Sequence, residues 1–457
     1  MKDADLLHGP LFGKIFAFVL PLVVTNLLQN LYNAADMVIV GLSNVDGAIG
    51  AIGTTTAMIS LIINIFMGLA VGSSVMVARA IGERNEKKTT EAVHTSMLVG
   101  MVSGVFTMVL GLLFSKRMLI MLGDRGHILE LADLYTRIYF LGVPFIAVTN
   151  FLISIFRAKG DTKTPLAVLT TTGLLNVGLN LFFVLAIGMS VDGVALATAI
   201  SNFASMIVLA LILHRDKGWC RLEFRKIIPE KYALRGIVYN GLPAAIQGIL
   251  FSISNMLIQS SIIGVNNTMC PGGSDIIDGN AAGASIESFA YVSTNSVCQA
   301  AVTFTSQHYG ARMVKRIRKV IRDCYLVSFM IAEVVALTIF ALRVPLARIY
   351  VSAPLAIETA TTRLTYMLAI YFTLASMDTG SGIVRGLNRS ILSTAVTLMG
   401  SCVLRIIWIE TVVRANPTLP LIYLSYPITW AITGLCHFIV SMRVTRKMRT
   451  LYPEEES

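Results

Sequence analysis

Ala78-Arg79-Ala80-Ile81-Gly82-Glu83-Arg84 and Ser306-Gln307-His308-Tyr309-Gly310-Ala311-Arg312 are two versions of one short segment, and each comes after a long apolar stretch. Gly82 and Gly310 stand 228 positions apart (310 − 82). A second pair repeats at the same offset. Ile155-Phe156-Arg157-Ala158-Lys159-Gly160 resembles Ile383-Val384-Arg385-Gly386-Leu387-Asn388, and Arg157 and Arg385 also differ by 228 (385 − 157). Leu20-Pro21 and Leu242-Pro243 open the first and seventh apolar stretches at a similar spacing. Two independent matches at one offset mark an internal duplication.

The chain has 457 residues, 55% hydrophobic and 14% charged, with a mean hydropathy of +0.72. A soluble domain carries about 25% charged residues, so the polar surface needed to face water all round is missing. Apolar runs of about 18 residues or more span a bilayer as helix, and in lipid every backbone amide must be satisfied internally. The apolar/polar alternation of a membrane strand is absent. We read twelve helices at about 15–40, 48–78, 92–114, 134–156, 165–187, 192–213, 237–263, 281–308, 321–342, 358–381, 390–412 and 419–441. The first run continues to Val40 behind a short, mixed-charge start, so helix one is expected to stay in the mature protein.

The formal net charge of +11 could suggest nucleic acid, but its placement argues against that partner. With the N-terminus inside, 28 of the 37 Lys and Arg fall at the cytoplasmic side, 6 fall outside, and Arg137, Arg363 and Arg405 fall inside helices. This asymmetry is the positive-inside rule and puts both termini in the cytoplasm. Each half holds six helices, an even number, so the halves run parallel about an axis along the membrane normal, with substrate held between them. The expected division is an N-lobe at 1–213, a basic cytoplasmic linker at 214–236, a C-lobe at 237–442 and a tail at 443–457. The six cysteines show no metal-ligand or redox spacing and read as isolated thiols. We expect no cofactor and a monomer whose partners are small-molecule substrates and the lipid bilayer.

One set of motifs is set out along the chain: Pro21, Leu31-Tyr32-Asn33-Ala34-Ala35-Asp36-Met37-Val38-Ile39-Val40-Gly41, Gly68-Leu69-Ala70-Val71-Gly72-Ser73-Ser74 with Gly82, Arg157 to Gly160, Gly241-Leu242-Pro243 and Arg385-Gly386-Leu387. They run in order over nearly the whole chain. By these the chain resembles the multidrug and toxic compound extrusion (MATE) transporters. The resemblance implies an all-α protein of twelve transmembrane helices. These would form two pseudo-symmetric six-helix lobes around a V-shaped central cavity, with Pro21 at a bend in helix one. It also implies antiport by alternating access: export of small amphiphilic, mainly cationic compounds across the cell inner membrane, coupled to inward Na+ or H+.

An ionisable group at bilayer depth usually lines a cavity or finds a partner. Asp36 is the lone carboxylate of helix one. Asn26, Gln29, Asn33 and Asp36 share one helical face by their three- and four-residue spacing. For Asn26 and Gln29 an interhelical hydrogen-bond seam is the competing reading. The resemblance places the N-lobe cation site at Asp36, Asn176, Asn180 and Thr198, with Asn150 nearby. The family pattern Asn-x-x-Leu-Asp reads Asn176-Val177-Gly178-Leu179-Asn180 here, so the second carboxylate is an amide. One monovalent cation would neutralise the site. Oxygen ligands suit Na+ and a desolvated carboxylate suits H+, and the two stay open. In the C-lobe, Glu287, Asp378 and Arg405 are the candidate cavity residues. Asp378 is the repeat partner of Asn150 (378 − 228). The competing reading is a buried ion pair of Arg405 with Asp378, Glu410 or Glu333. Gly68-x-x-x-Gly72 and Gly100-x-x-x-Gly104 read as close helix packing.

No Gly-x-x-x-x-Gly-Lys-Ser/Thr phosphate loop and no nucleophile–base or metal cluster occurs, which disfavours an ATP-driven pump and an enzyme. The alternative is a flippase of a lipid-linked oligosaccharide precursor. A pyrophosphate passing through the N-lobe would call for Arg or Lys in mid-membrane, where helices one, two, five and six offer none.

Overall fold

A computed structural model describes residues 5–43, 45, 47–122 and 126–451. The described residues are helical with short connections. In chain order the helices are α1 (Leu11–Gly41), α2 (Ala48–Gly82), α3 (Glu86–Leu122), α4 (Gly126–Ala158), α5 (Lys163–Leu181) and α6 (Val191–His214). Then come α7 (Lys231–Met269), α8 (Asp275–Gly310), α9 (Val314–Ala341), α10 (Arg343–Tyr350), α11 (Pro354–Leu368) and α12 (Phe372–Gly386). The last two are α13 (Ser390–Val413) and α14 (Leu419–Leu451). Among the described residues, ten helices are long and apolar enough to cross a membrane, or eleven when α11 and α12, bent by 55°, count as one span. α8 is long enough but falls short in apolarity, because buried Ser293, Thr294, Ser296, Thr303 and Gln307 give it a polar interior face. The chain is a multi-pass membrane protein of the all-α class.

The helices differ from the sequence expectation in particular places. α10 stands where an outside loop was expected, and the span expected at 358–381 is broken at residues 369–371. α13 contains two π-helical turns, Leu398–Val403 and Ile409–Val413, and α5 passes into a third, Phe182–Ala186. A π turn inserts one residue into the ladder and rotates the next stretch of helix by about 100°. α1 runs on through Pro21, whose carbonyl accepts the Thr25 hydroxyl at 2.8 Å.

The chain forms two compact units, residues 1–7 with 20–249, and residues 8–19 with 250–457. The first division falls inside α1 directly before Leu20-Pro21, and the second falls inside α7. Within the first unit α4 is central, packing on α2, α3 and α6. A Cβ on Gly68 would strike the Ala245 backbone, and one on Gly72 would strike the Ile237 carbonyl. Gly100 lies against Phe151, and Gly104 against Pro144 and Ala147. Both small-residue motifs therefore mark close helix contacts, as expected. Within the second unit, α8 packs on α9, α11 and α12, and α12 packs on α14.

The segment after α6 is anchored to the first unit. Lys159 Nζ reaches Asp216 Oδ2 at 2.6 Å, Glu223 N–H donates to His94 Nε2 at 2.9 Å and Glu230 N–H to Thr95 Oγ1 at 3.1 Å. Burial works against ionising Asp216, but the Lys159 hydrogen bond and charge outweigh it, so its carboxyl sits below the usual range.

The duplication reappears in backbone geometry. Arg84 (φ 50) and Arg312 (φ 56) are left-handed, as are Gly160 (φ 90) and Asn388 (φ 60), and both pairs are 228 apart. Each stands just past a helix end closed by the same two backbone bonds. Asn85 N–H reaches the Ala80 carbonyl and Met313 N–H the His308 carbonyl, while Asp161 N–H reaches Phe156 and Arg389 N–H reaches Val384. These are Schellman caps. Arginine adopts the left-handed conformation at a cost that glycine would avoid.

Candidate functional site

Asp36 lies four turns after Pro21 on α1, half-buried, on the wall of a cavity of about 330 Å³ inside the first unit. Gln29 and Asn33 of the same α1 face line it too. Tyr32 reaches α5, where its hydroxyl donates to the Thr170 carbonyl at 3.3 Å. Its ring occupies the space above Gly173, where any Cβ would collide with it.

A relay of side chains runs from Asp36 across α5 to α6. Asn180 Nδ2 donates to Asp36 Oδ1 at 2.5 Å and faces Asn176 Oδ1 at 3.3 Å. Asn176 Nδ2 donates to Thr198 Oγ1 at 3.4 Å. The spacing of four between Asn176 and Asn180 puts both amides on one face of α5. Asn180 is 0% exposed, and its Oδ1 has no hydrogen-bond partner among the described residues. A buried acceptor left open is costly unless a donor or a cation meets it. The cavity wall offers the Asp36 carboxylate, the Asn176 amide and the Thr198 and Ser201 hydroxyls, and Asn180, bonded to Asp36 but not itself on the wall, adds an orphaned carbonyl oxygen. An oxygen set of this kind suits a hard monovalent cation.

Of the expected N-lobe residues, Asp36, Asn176, Asn180 and Thr198 come together. Asn150 does not join them: its amide turns back on the Ile146 carbonyl at 2.8 Å, one turn away on α4. The sequence reading missed Tyr135 and Tyr139, stacked at 6.0 Å on α4, and Ser201, Asn202 and Ser205 of α6, all lining the cavity. The spacing of Thr198, Ser201, Asn202 and Ser205 is a polar α6 face that could have flagged three of them.

In the second unit Glu287 and Arg405 lie in one neighbourhood, linked through Arg363 and the Tyr426 ring, while Asp378 makes a separate contact. Glu287 Oε2 receives Arg363 Nη2 at 2.7 Å and Nε at 3.2 Å. Arg363 Nη1 also donates to Asn280 Oδ1 at 2.8 Å, an acceptor shared with the Tyr423 hydroxyl. Asp378 accepts the Thr294 hydroxyl at 3.3 Å. The competing ion pair of Arg405 is not formed among the described residues. Glu410 pairs with Arg414 at 3.3 Å, and Glu333 receives the Phe372 N–H at the break between α11 and α12. Arg405, held between the two π turns of α13, stacks 4.0 Å from the Tyr426 ring centroid instead and donates to Thr429 Oγ1 at 3.1 Å.

Helices of membrane length, a duplicated six-helix plan and a carboxylate in an internal polar cavity define a membrane transporter. The sequence model of the MatE family matches residues 21–182 and 243–409, and the chain belongs to that family. Its members are transporters and not enzymes. The probable multidrug resistance protein YoeA of Bacillus subtilis is 27% identical over 336 residues, 71% of this chain and 70% of the relative. The probable multidrug resistance protein NorM of Thermotoga maritima is 24% identical over 394 residues, 84% of this chain and 82% of the relative. The fold superposes on an outward-facing multidrug resistance MATE family transporter with a TM-score of 0.90 at 21% identity, over 98% of this chain and 99% of that one.

Proposed function

We propose that the protein exports small amphiphilic, mainly cationic compounds across the cell inner membrane by alternating access, coupled to inward Na+ or H+, with both termini cytoplasmic. The observation that carries this reading is Asp36 in the polar cavity, bonded to Asn180 whose other amide atom is an unsatisfied acceptor. The coupling ion is cargo: it would enter between the Asp36 carboxylate, Asn180 Oδ1 and the Asn176 and Thr198 oxygens. Relatives named for multidrug resistance support the substrate class. An ion can drive export only through different affinity for the two states of the carrier. Asp36, adjustable by one proton or one cation, can supply that difference.

The test is efflux of a fluorescent organic cation from vesicles with Na+ and pH gradients imposed separately. One gradient should drive efflux in the wild type, and Asp36→Asn should lower the rate at least about tenfold while remaining folded and inserted. Near-normal pumping by Asp36→Asn would refute the assignment.

A further inference from the structure

The duplication relates the interiors of the two units as well as their caps. The offset of 228 holds at both ends of α4 and of the α11–α12 pair, Gly126 with Pro354 and Ala158 with Gly386, and at the starts of α6 and α14, Val191 with Leu419. It carries three cavity-lining residues, Tyr135, Thr198 and Ser201, onto Arg363, Tyr426 and Thr429. The spacing of Pro21 and Pro243, 222 residues (243 − 21), carries Asp36 onto Ile258, a member of the buried apolar cluster of the second unit. The C-lobe counterpart of the cavity therefore has no carboxylate at the Asp36 position, and the nearby Glu287 is taken up by Arg363.

What stands among these counterparts is a guanidinium. Arg405 is 1% exposed and contacts Tyr426 and Thr429, the repeat partners of Thr198 and Ser201. Arg363, at the Tyr135 position, is neutralised by Glu287 at 2.7 Å. Arg405 makes no such contact: among the described residues no carboxylate lies within 4.0 Å of it, Glu287, already paired with Arg363, acts on it only across space, and its Nε makes no hydrogen bond. A desolvated charge with no counter-ion in contact is costly, and an apolar side chain of similar volume would fill the space without that cost. The arrangement resembles a loaded cation site: an aromatic face and a hydroxyl oxygen around a positive group.

We infer that the Arg405 guanidinium is a tethered cation filling the C-lobe counterpart of the N-lobe cavity, a guanidinium-class site loaded by the chain itself. The inference rests on the reading of the N-lobe cavity as the ion-coupling site. The N-lobe then empties and fills during transport, while the C-lobe stays in the loaded state. Arg405 is a positioning residue: it holds one lobe constant so that the ion changes only the other.

The experiment compares Arg405→Ala with Arg405→Met, measuring melting temperature and cation efflux with and without low-millimolar guanidinium. Arg405→Ala should lose efflux about tenfold, the scale of a lost charge-assisted contact, and guanidinium should restore both efflux and melting temperature saturably. Equal concentrations of urea or NaCl should restore neither. Arg405→Met keeps the bulk and drops the charge, so its melting temperature should be at or above that of wild type while efflux stays low and guanidinium has no effect. Wild-type efflux by Arg405→Met, or no response of Arg405→Ala to guanidinium, would overturn the inference. If Arg405→Ala fails to fold, Arg405→Met decides alone. The melting response is read without transport, so it stands apart from a failure of the Asp36 assignment, which Asp36→Asn reports separately.

Discussion

The same three helix positions carry opposite chemistry in the two halves of the chain. In the N-lobe, α4 and α6 present Tyr135, Thr198 and Ser201 to an open cavity that holds one carboxylate. In the C-lobe, the corresponding positions hold Arg363, Tyr426 and Thr429 around a second buried arginine, Arg405. The backbone kept the duplication down to left-handed caps at Arg84 and Arg312 and at Gly160 and Asn388. The side chains did not keep it. Helix-end geometry is imposed by the chain's need to close each helix with hydrogen bonds, whereas the sign of a buried site depends on two or three side chains. A duplicated scaffold can therefore support one adjustable lobe and one fixed lobe.

That contrast can be strained most severely at Glu287. Glu287→Gln leaves the Arg363 guanidinium without its counter-ion in a buried setting, and removing one partner of such a pair costs about 3–5 kcal/mol. The melting temperature should fall steeply, and the double variant Glu287→Gln/Arg363→Met should recover most of the loss. Cation binding in the N-lobe should be unchanged wherever the variant remains folded. Equal stability of Glu287→Gln and wild type would mean that the C-lobe arginines are not held by charge.

A smaller effect separates the α2 contact from its repeat partner. Gly72→Ala gains about 1 kcal/mol of helix propensity but drives a Cβ into the Ile237 carbonyl. Overpacking costs about 1–3 kcal/mol, so thermal unfolding should show net destabilisation. Position 300, its partner, already carries alanine, and Ala300→Gly should cost only the propensity difference. Stabilisation by Gly72→Ala would show that α2 can move away from α7.

Asn180→Asp restores a second carboxylate beside Asp36. Two close carboxylates resist joint ionisation, so the pair must hold a proton or a further cation. The pH optimum of efflux should move by about one unit, or the half-saturating Na+ about tenfold. An unchanged profile would show that residue 180 does not share the ion site.

The smallest expected effect lies in the anchored segment at Lys159 and Asp216. The Asp216 carboxyl is held below its ordinary value, so its stabilisation is fully present above the unfolded carboxylate value of about 3.9 and is lost as pH falls through the folded value. Asp216→Asn should lower the melting temperature slightly at neutral pH and flatten the acid side of the stability profile. A variant with an unaltered acid limb would mean that the pair contributes nothing measurable.

Much of this was legible in the sequence, and the rest was hidden for identifiable reasons. The repeat offset, the small-residue contacts of Gly68, Gly72, Gly100 and Gly104, and the shared α5 face of Asn176 and Asn180 can all be read from spacing along the chain. The pairing of Glu287 with Arg363 cannot, because the partners lie 76 residues apart and nothing local distinguishes Arg363 from Arg405 as the neutralised one. The contacts of Arg405 were hidden for a related reason: two π turns flank it, and they carry no composition signal. Tyr135 and Tyr139 escaped notice because aromatic residues are ordinary in apolar helices, and only the fold brings them to the cavity of Asp36.

The central claim is that one cation is taken up per chain, at Asp36. The most direct measurement is cation binding to purified protein in detergent, by radiolabelled Na+ at fixed pH and by proton uptake on acidification without Na+. Wild type should show one site in one of these two assays. Asp36→Asn should show none, and Asp378→Asn should keep the site. A cation site that survives Asp36→Asn and disappears in Asp378→Asn would contradict the account.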